Sequence, residues 1–423
     1  MKRATTAERV RQTARLLKVE GGAGVAARTL RRAADRLSPA GYGGLPVSRE
    51  HLLAAADVAA RGWALPEPAP VVPGEPLRIG WVLTPPRPGS GGHTIMFRMI
   101  SALERAGHEC TVYLVDHHGW ALEQHERAIR RWWPWLKAEV ADFADGVRDS
   151  HAVFATAWQT AYPVLASPAK GVRFYLVLDY EPAFYPAGSH AFLAEATYRF
   201  GFHGVTGGRW LAERVRRDYG MPADHFDFTC DLDRYEIQDP SAVTRTGVCY
   251  YCRPSTPRRA YELAMVALDV FAARHPEVDI HLFGMPAGRL PFRATDHGTL
   301  TDVQLNDLYN RCVAGLALSA TNVSLVPPEM LAAGCIPVVN DAEHNRVVLD
   351  NEHVAYAAPA PFELADALSA LVERPLPERA AAATAAAASV RGASWEAEGA
   401  RVERIVRRVV SEAARPAEPA VST

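Results

Sequence analysis

"AGLALSATNVSLVPPEMLAAGCIPVVN", residues 314–340, is the stretch on which the fold turns. A short apolar run gives way to a polar loop, and Pro327 with Pro328 suits a first helical turn, where their missing N–H groups would lack partners anyway. After Gly334 a β-branched run from Ile336 starts the next strand. Strand, helix and strand at this spacing read as a parallel unit covered on both faces. Glu329 falls in the first turn of that helix. A carboxylate there complements the helix dipole, a contribution under about 1 kcal/mol, and it also faces whatever lies beyond the strand end.

Working outward, the same alternation recurs. "VCYYC" (248–252) and "DIHLFG" (279–284) precede it as strands of one block. An earlier block starts at Leu77 with "LRIGWVL", followed by "ECTVYLV", "HAVFAT", "VRFYLVL" and "FHGVTG", with helices between. The fold class is therefore α/β: two doubly wound Rossmann-like domains facing a cleft, expected over 77–240 and 245–375. The extended, polar "CDLDRYEIQDPSAVTRTG" (230–247) separates them. "WALPEPAPVVPGEP" (63–76) holds five prolines and reads as a linker. Residues 1–62 read as a basic helical extension, with helices near 5–19 and 23–37. Residues 376–413 read as C-terminal helices, and 414–423 as a disordered polar tail.

The totals narrow the function. A chain of 423 residues is too long for one ordinary core. A formal net charge of −2 gives no basis for a nucleic-acid partner. No apolar run is long enough to span a membrane and no apolar leader opens the chain, so a cytoplasmic protein is expected. Residues 1–40 carry ten Lys/Arg against Glu8, Glu20 and Asp35. They form a solvated hairpin or, alternatively, a candidate peripheral contact with an anionic membrane face. Lysine is confined to Lys2, Lys18, Lys137 and Lys170.

Ligands of open α/β sheets gather beyond the carboxyl ends of strands. After the first strand, "TPPRPGSGGHT" (84–94) places Gly91 and Gly92 at a helix start, followed by His93. Bare N–H groups there favour an anion, although a plain strand–helix turn looks the same. "DYEPAFYPAGS" (179–189) offers Asp179 and Glu181 beside Tyr180, Phe184 and Tyr185. Such a mix of acids and aromatic faces suits carbohydrate, and an aromatic-capped loop is its bland counterpart. Arg253 stands at a strand end, with Arg258 and Arg259 opening the next helix. Guanidiniums so placed can grip a diphosphate bidentately, though arginines mostly face solvent. "DHHG" (116–119) is a poor metal pair. "CYYC" (249–252) lies inside a strand, so its cysteines face opposite sides and no metal is expected there.

The Gly-Gly loop, "ALERAGHECTVY" (102–113), the strand-end arginine with another five positions on, "LTDVQLNDLYNRCVAGLALS" (300–319) and "SLVPPEMLAAGCIPVV" (324–339) occur in an order that resembles the GT-B glycosyltransferases of family 4. More narrowly, "LVLDYEPAFYPAGSHAFLAEATYRFGFHGVTGGRWLAE" (176–213) and "YYCRPSTPRRAYELA" (250–264) resemble the WsaF-type bacterial rhamnosyltransferases of surface polysaccharide synthesis. The resemblance implies a nucleotide-sugar donor and a glycan or lipid-linked glycan acceptor. By it, Arg253 and Arg258 hold the diphosphate and Glu329 holds the ribose. The nucleobase lies against Leu300 and Thr301, and Asn322 and Ser324 belong to the donor loop. The loops of Gly91–His93 and Asp179–Tyr185 face the acceptor. Thr321 departs from the pattern, because the broad family has a glutamate eight positions before Glu329. A deoxyhexose such as rhamnose, carried on dTDP, is the expected donor.

The resemblance further implies retention of anomeric configuration. With no acidic cluster at the phosphates, Arg253, Arg258 and helix dipoles would neutralise the leaving group without a metal or other cofactor. His93, Asp179 and Glu181 each stand as candidate proton acceptors. A pyridoxal-dependent phosphorylase would need a lysine in the second domain, and none follows Lys170. An epimerase on the same fold and a non-catalytic sugar-binding module are the competing readings.

Overall fold

The structure, a computed structural model, describes Thr29 and residues 45–72, 74–87, 89–116, 119–238 and 244–415. The basic helices expected within 1–40, the His117–His118 pair and the tail beyond Arg415 lie outside these residues. Contacts divide the chain into a unit of residues 1–53 and one of 54–423, and both sheets belong to the second.

The first sheet comprises β1 (Arg78–Leu83), β2 (Glu109–Leu114), β3 (Glu139–Asp142), β4 (Ala152–Ala155), β5 (Val172–Val177), β6 (His203–Gly207) and β7 (Ala223–Phe226). Its order is β3-β2-β1-β4-β5-β6-β7, parallel throughout. The central strands are nearly continuous apolar runs because helices cover both faces. Across β1, β4 and β5 the rings of Trp81, Phe154 and Phe174 stack at 4.0 and 4.7 Å, a cross-strand ladder that fixes register.

The second sheet comprises β8 (Gly247–Cys252), β9 (Ile280–Gly284), β10 (Thr295–Asp296), β11 (Cys312–Leu316), β12 (Ile336–Asn340) and β13 (Ala355–Ala357). Its order is β10-β9-β8-β11-β12-β13, again parallel. In each sheet the winding reverses once, between β1 and β4 and between β8 and β11. These switch points open the crevices where ligands of such sheets bind. The doubly wound pair anticipated from the sequence is present. Cys249 and Cys252 fall into different buried clusters, as their spacing in β8 requires.

Two features join the halves. The last helix, Trp395–Ala413, returns to the first domain and buries Trp395, Val402, Val406 and Val410 in its core. Each such side chain contributes about 1.5–3 kcal/mol of transfer free energy, before ordering costs. On the other side, helix Arg209–Tyr219 packs on helix Glu343–Leu349, where the Trp210 indole N–H donates to Glu343 at 3.1 Å. Gly208 makes this approach feasible. Its φ is +87°, and a Cβ there would lie 2.8 Å from Val348 Cγ2.

Candidate active site

The loops after β1, β5, β8 and β11 meet where the two domains face each other. A Cβ placed on Gly92 would lie 3.8 Å from Leu178, the residue after β5. The Leu178 carbonyl accepts from the Asn322 amide at 3.0 Å, and the Gly207 carbonyl accepts from the same amide at 3.0 Å. Asn322 is wholly buried and both its amide hydrogens are engaged in the first domain. Asn322, expected in the donor loop, is a strut between domains.

Beside it stands a cluster of opposite charges. Arg258 Nε lies 3.2 Å from Asp179 Oδ2, and its guanidinium sits 4.1 Å above the Phe184 ring. Arg259 is buried, donates to the Asn322 carbonyl at 3.3 Å, and interacts electrostatically with Asp179 and with Arg253. Arg253 is half-buried, with its guanidinium 5.7 Å from the Tyr251 ring. Burial pushes the Asp179 carboxyl up, and Arg258, then Arg259, pull it back down. Two guanidiniums thus act on Asp179, with Arg253 beside Arg259 and the Glu181 carboxyl beside Asp179. Arg258 and Arg259 do not open the following helix as expected; they form a tight turn, Pro257–Arg259, and Ala260 at φ +48° precedes the helix Tyr261–Arg274. The residue before that turn and the left-handed Ala260 aim them across the cleft instead of along the helix surface.

Glu329 belongs to a second cluster. The prolines behave as the sequence implies, and Glu329 occupies the first turn of helix Val326–Ala332. Its carboxyl accepts from the Tyr309 hydroxyl at 3.4 Å and is only half-exposed. Burial, with nearby Asp302 and Asp231, pushes it up to about 8, opposed by Tyr309 and Arg98. Asp231 is gripped in turn by Arg98 from the first domain, at 2.8 Å to one oxygen, and Arg234 pairs with Asp302. The Asp231–Arg98 contact crosses from the interdomain segment to the helix Gly91–Arg105. Spacing in the sequence gave no hint of these partners, because they lie up to 133 positions apart.

The remaining candidates are placed as follows. Gly91 and Gly92 open the helix Gly91–Arg105 behind the cap Ser90. His93 Nε2 donates to the Thr84 carbonyl at 3.3 Å, and Nδ1 accepts from the Ser90 hydroxyl at 2.8 Å. Burial depresses this imidazole, so it is neutral near pH 7 with both nitrogens engaged. Glu181 is buried and accepts the Trp158 N–H at 2.6 Å, the first N–H of helix Trp158–Ala166. Burial pushes Glu181 up to about 8. Glu181, expected as a proton acceptor, here caps a helix whose own cap, Ala157, has no side-chain oxygen. Tyr185 accepts from the Trp158 indole at 3.0 Å and backs the same turn. Thr301 caps helix Asp302–Arg311 reciprocally with Gln304, so its hydroxyl serves the helix end. Leu300 packs at the edge of the second domain's core, and Ser324 lies half-buried on the loop entering the Glu329 helix.

Among the described residues, no group of three or more His, Cys, Asp or Glu is arranged to hold a metal.

Comparison with known proteins agrees with this architecture. The family profile described as "WsaF, C-terminal domain" matches residues 246–369. Over 282 residues the chain is 35% identical to the O-antigen biosynthesis protein RfbC of Myxococcus xanthus, covering 62% of this chain and 21% of that protein. The chain thus spans about a fifth of the length of that relative. Among solved structures, TarM superposes with a TM-score of 0.65 at 8% identity, covering 79% of this chain and 100% of that one. Anabaena HepE in complex with UDP and glucose superposes with a TM-score of 0.58 at 13% identity, covering 78% of this chain and 100% of that one. At such identities the likeness is one of fold. Residues 246–369 are thus similar to the WsaF C-terminal domain, and the chain that carries them has the GT-B fold.

Proposed function

We propose that this chain transfers a sugar from a nucleoside-diphosphate donor to a glycan hydroxyl in the synthesis of an O-antigen-type surface polysaccharide. The observation that carries this reading is the facing of Arg258 and Arg259 with Asp179, and Arg253 beside Arg259, where loops of both domains meet. As the glycosidic bond breaks, negative charge grows on the departing diphosphate. Pre-placed guanidiniums in a partly dehydrated cleft stabilise that charge without reorganising, which supports a metal-independent route. Closure of the domains would exclude water and limit hydrolysis of the donor.

Glu329 is the group for the ribose. It keeps acceptor capacity beyond its Tyr309 contact, and a sugar hydroxyl can use it. If the nucleotide is dTDP, only the 3′-hydroxyl is available to it. Rhamnose or another deoxyhexose as the transferred sugar, with retention of configuration, follows from the sequence resemblance to rhamnosyltransferases, and the UDP complex of HepE supports a nucleotide-sugar partner for the fold. All three candidate proton acceptors are engaged: His93 by Ser90 and Thr84, Glu181 by the Trp158 N–H, and Asp179 by the Tyr180 N–H and Arg258. No helix among the described residues is long and apolar enough to cross a membrane. Contact with a lipid-linked acceptor would then be peripheral, through the basic N-terminal segment.

The test is a panel of dTDP-, UDP- and GDP-sugars incubated with the purified protein, with and without polysaccharide acceptor, following nucleoside-diphosphate release. Acceptor-dependent release that survives a chelator is expected. An altered sugar on an intact nucleotide would make the protein an epimerase, and binding without turnover would make it a sugar-binding module.

A further inference from the structure

A face of the first domain that the cleft does not use carries an inference beyond the transfer reaction. We propose that the outward side of helix Leu122–Trp132, with the indoles at its two ends, docks on the headgroup layer of an anionic lipid membrane.

The exposed tryptophans are clustered. Four indoles among the described residues are exposed, and three of them, Trp120 at 65%, Trp132 at 50% and Trp135 at 38%, fall between positions 120 and 135. Exposed apolar groups gathered in one place and rimmed by charge mark a contact surface. The helix between them has 11 residues, so its two ends stand about 16 Å apart.

Both ends are rigidly built. At the first, the Asp116 carboxylate accepts the Trp120 N–H at 2.7 Å and the His125 Nε2 hydrogen at 2.9 Å, and the Trp120 indole stacks on the His125 ring. At the second, Trp133 is buried: its indole N–H donates to Thr94 at 3.1 Å and its ring meets Phe97 edge-on. Arg130 donates to the Leu136 and Ala138 carbonyls at 2.7 Å each and closes that turn. Trp133 is thus turned inward, and Trp132 and Trp135 stay outside. Side chains already held in place lose little freedom on docking.

Charge selects the partner. Ile129 is wholly buried, so Arg127 and Arg131, two positions to either side, lie on the outward face. Arg131 sits 5.6 Å from the Trp132 ring, and Lys137 adds an exposed cation beyond Trp135. Glu126 pairs with Arg130 at 3.4 Å, which leaves Glu123 as the exposed acid between Trp120 and Lys137. A dry protein interface keeps its charges at the rim. Here guanidiniums lie between indoles, which suits a headgroup layer where indoles settle and cations meet phosphate. Trp120 follows β2, the strand beside β1, so this end of the face lies on the side of the sheet where the cleft loops emerge.

Flotation of the full chain tests this, with vesicles of phosphatidylcholine alone or with roughly a third phosphatidylglycerol. Arg127→Gln/Arg131→Gln is expected to lower affinity for the anionic vesicles about 30-fold, at about fivefold per cation, and high salt should erase the difference. Trp120→Ser/Trp132→Ser/Trp135→Ser is expected to lower it about tenfold, with the loss persisting in salt. Both variants should keep the melting temperature, since the altered side chains are exposed. Absent binding, or equal affinity of all three proteins, would overturn the inference and assign any lipid contact to the basic residues 1–40. Self-association abolished by the tryptophan variant, with vesicle binding intact, would also overturn it, because the face would then join two copies. Donor turnover on a water-soluble acceptor is followed in parallel. Its absence would remove the transferase reading and leave the lipid-docking face standing.

Discussion

Two carboxyls face the same cleft in opposite electrostatic company. Asp179 meets Arg258 and Arg259, with Arg253 close by, so positive charge is in excess. Glu329 meets Asp302 and Asp231, with Arg98 the principal opposing charge, so negative charge is in excess and the carboxyl is pushed up to about 8. The first surrounding welcomes an anion. The second repels one and suits a neutral, hydroxyl-bearing group. For the sugar-nucleotide donor proposed above, the sign of local charge would set the diphosphate toward the Arg258 turn and the ribose toward Glu329.

The strongest way to break this contrast is to remove the positive excess. Arg258→Ala is expected to lower turnover about 10²–10³-fold, the range seen when one pre-placed donor to developing charge is lost. A smaller loss of stability should accompany it, because the Asp179 left behind is buried and keeps only Arg259 to offset its charge. Equal loss of stability and activity would remove the phosphate assignment. Asn322→Ala attacks the strut between the two clusters. It leaves the Leu178 and Gly207 carbonyls unpaired, and about 2–4 kcal/mol of unfolding free energy should vanish in a denaturant titration. An unaltered midpoint would mean that the domains do not rely on it.

The acidic side is probed by pH. Glu329 is protonated below about 8, and ribose hydroxyls donate best to the ionised form, so donor affinity should rise toward pH 8 by up to about tenfold. Glu329→Gln should flatten that profile, and persistence of the rise in the variant would assign it elsewhere. The smallest effect sharpens the comparison with Glu181, whose raised carboxyl serves a helix end. Between its ordinary value of 4.5 and about 8, the folded chain binds this proton and the unfolded chain releases it. Stability is therefore gained below that window and lost as pH rises through it. Glu181→Gln should make melting temperature less pH-dependent from about 5 to 8 without changing donor affinity; an unchanged slope would show that the carboxyl does not titrate there.

The central strands were legible because burial on both faces forces unbroken apolar runs, as in Ile79–Leu83 or Phe174–Val177. The edge strands β3, "EVAD", and β7, "ADHF", were missed for the converse reason: an edge needs little apolar surface and so leaves little pattern. In the site, Glu329 was readable from the prolines ahead of it, and Arg253 and Arg258 from their place after a strand. Their partners were not. Asp179 comes 79 positions before Arg258, and Arg98 is 133 before Asp231, so only the closed tertiary fold pairs them. Arg259 looked like a second copy of Arg258, and the left-handed Ala260 that sends it inward has no signature in an Ala codon's neighbourhood. Asn322 and Glu181 look like ligand groups because buried polar side chains and binding groups share one chemistry. Their hydrogen-bond partners alone distinguish them.

The return of helix Trp395–Ala413 to the first domain has a practical corollary for anyone dissecting the molecule. A fragment ending at residue 369, where the matched segment stops, would strip Val402, Val406 and Val410 from the first half and leave its apolar seam open to self-association.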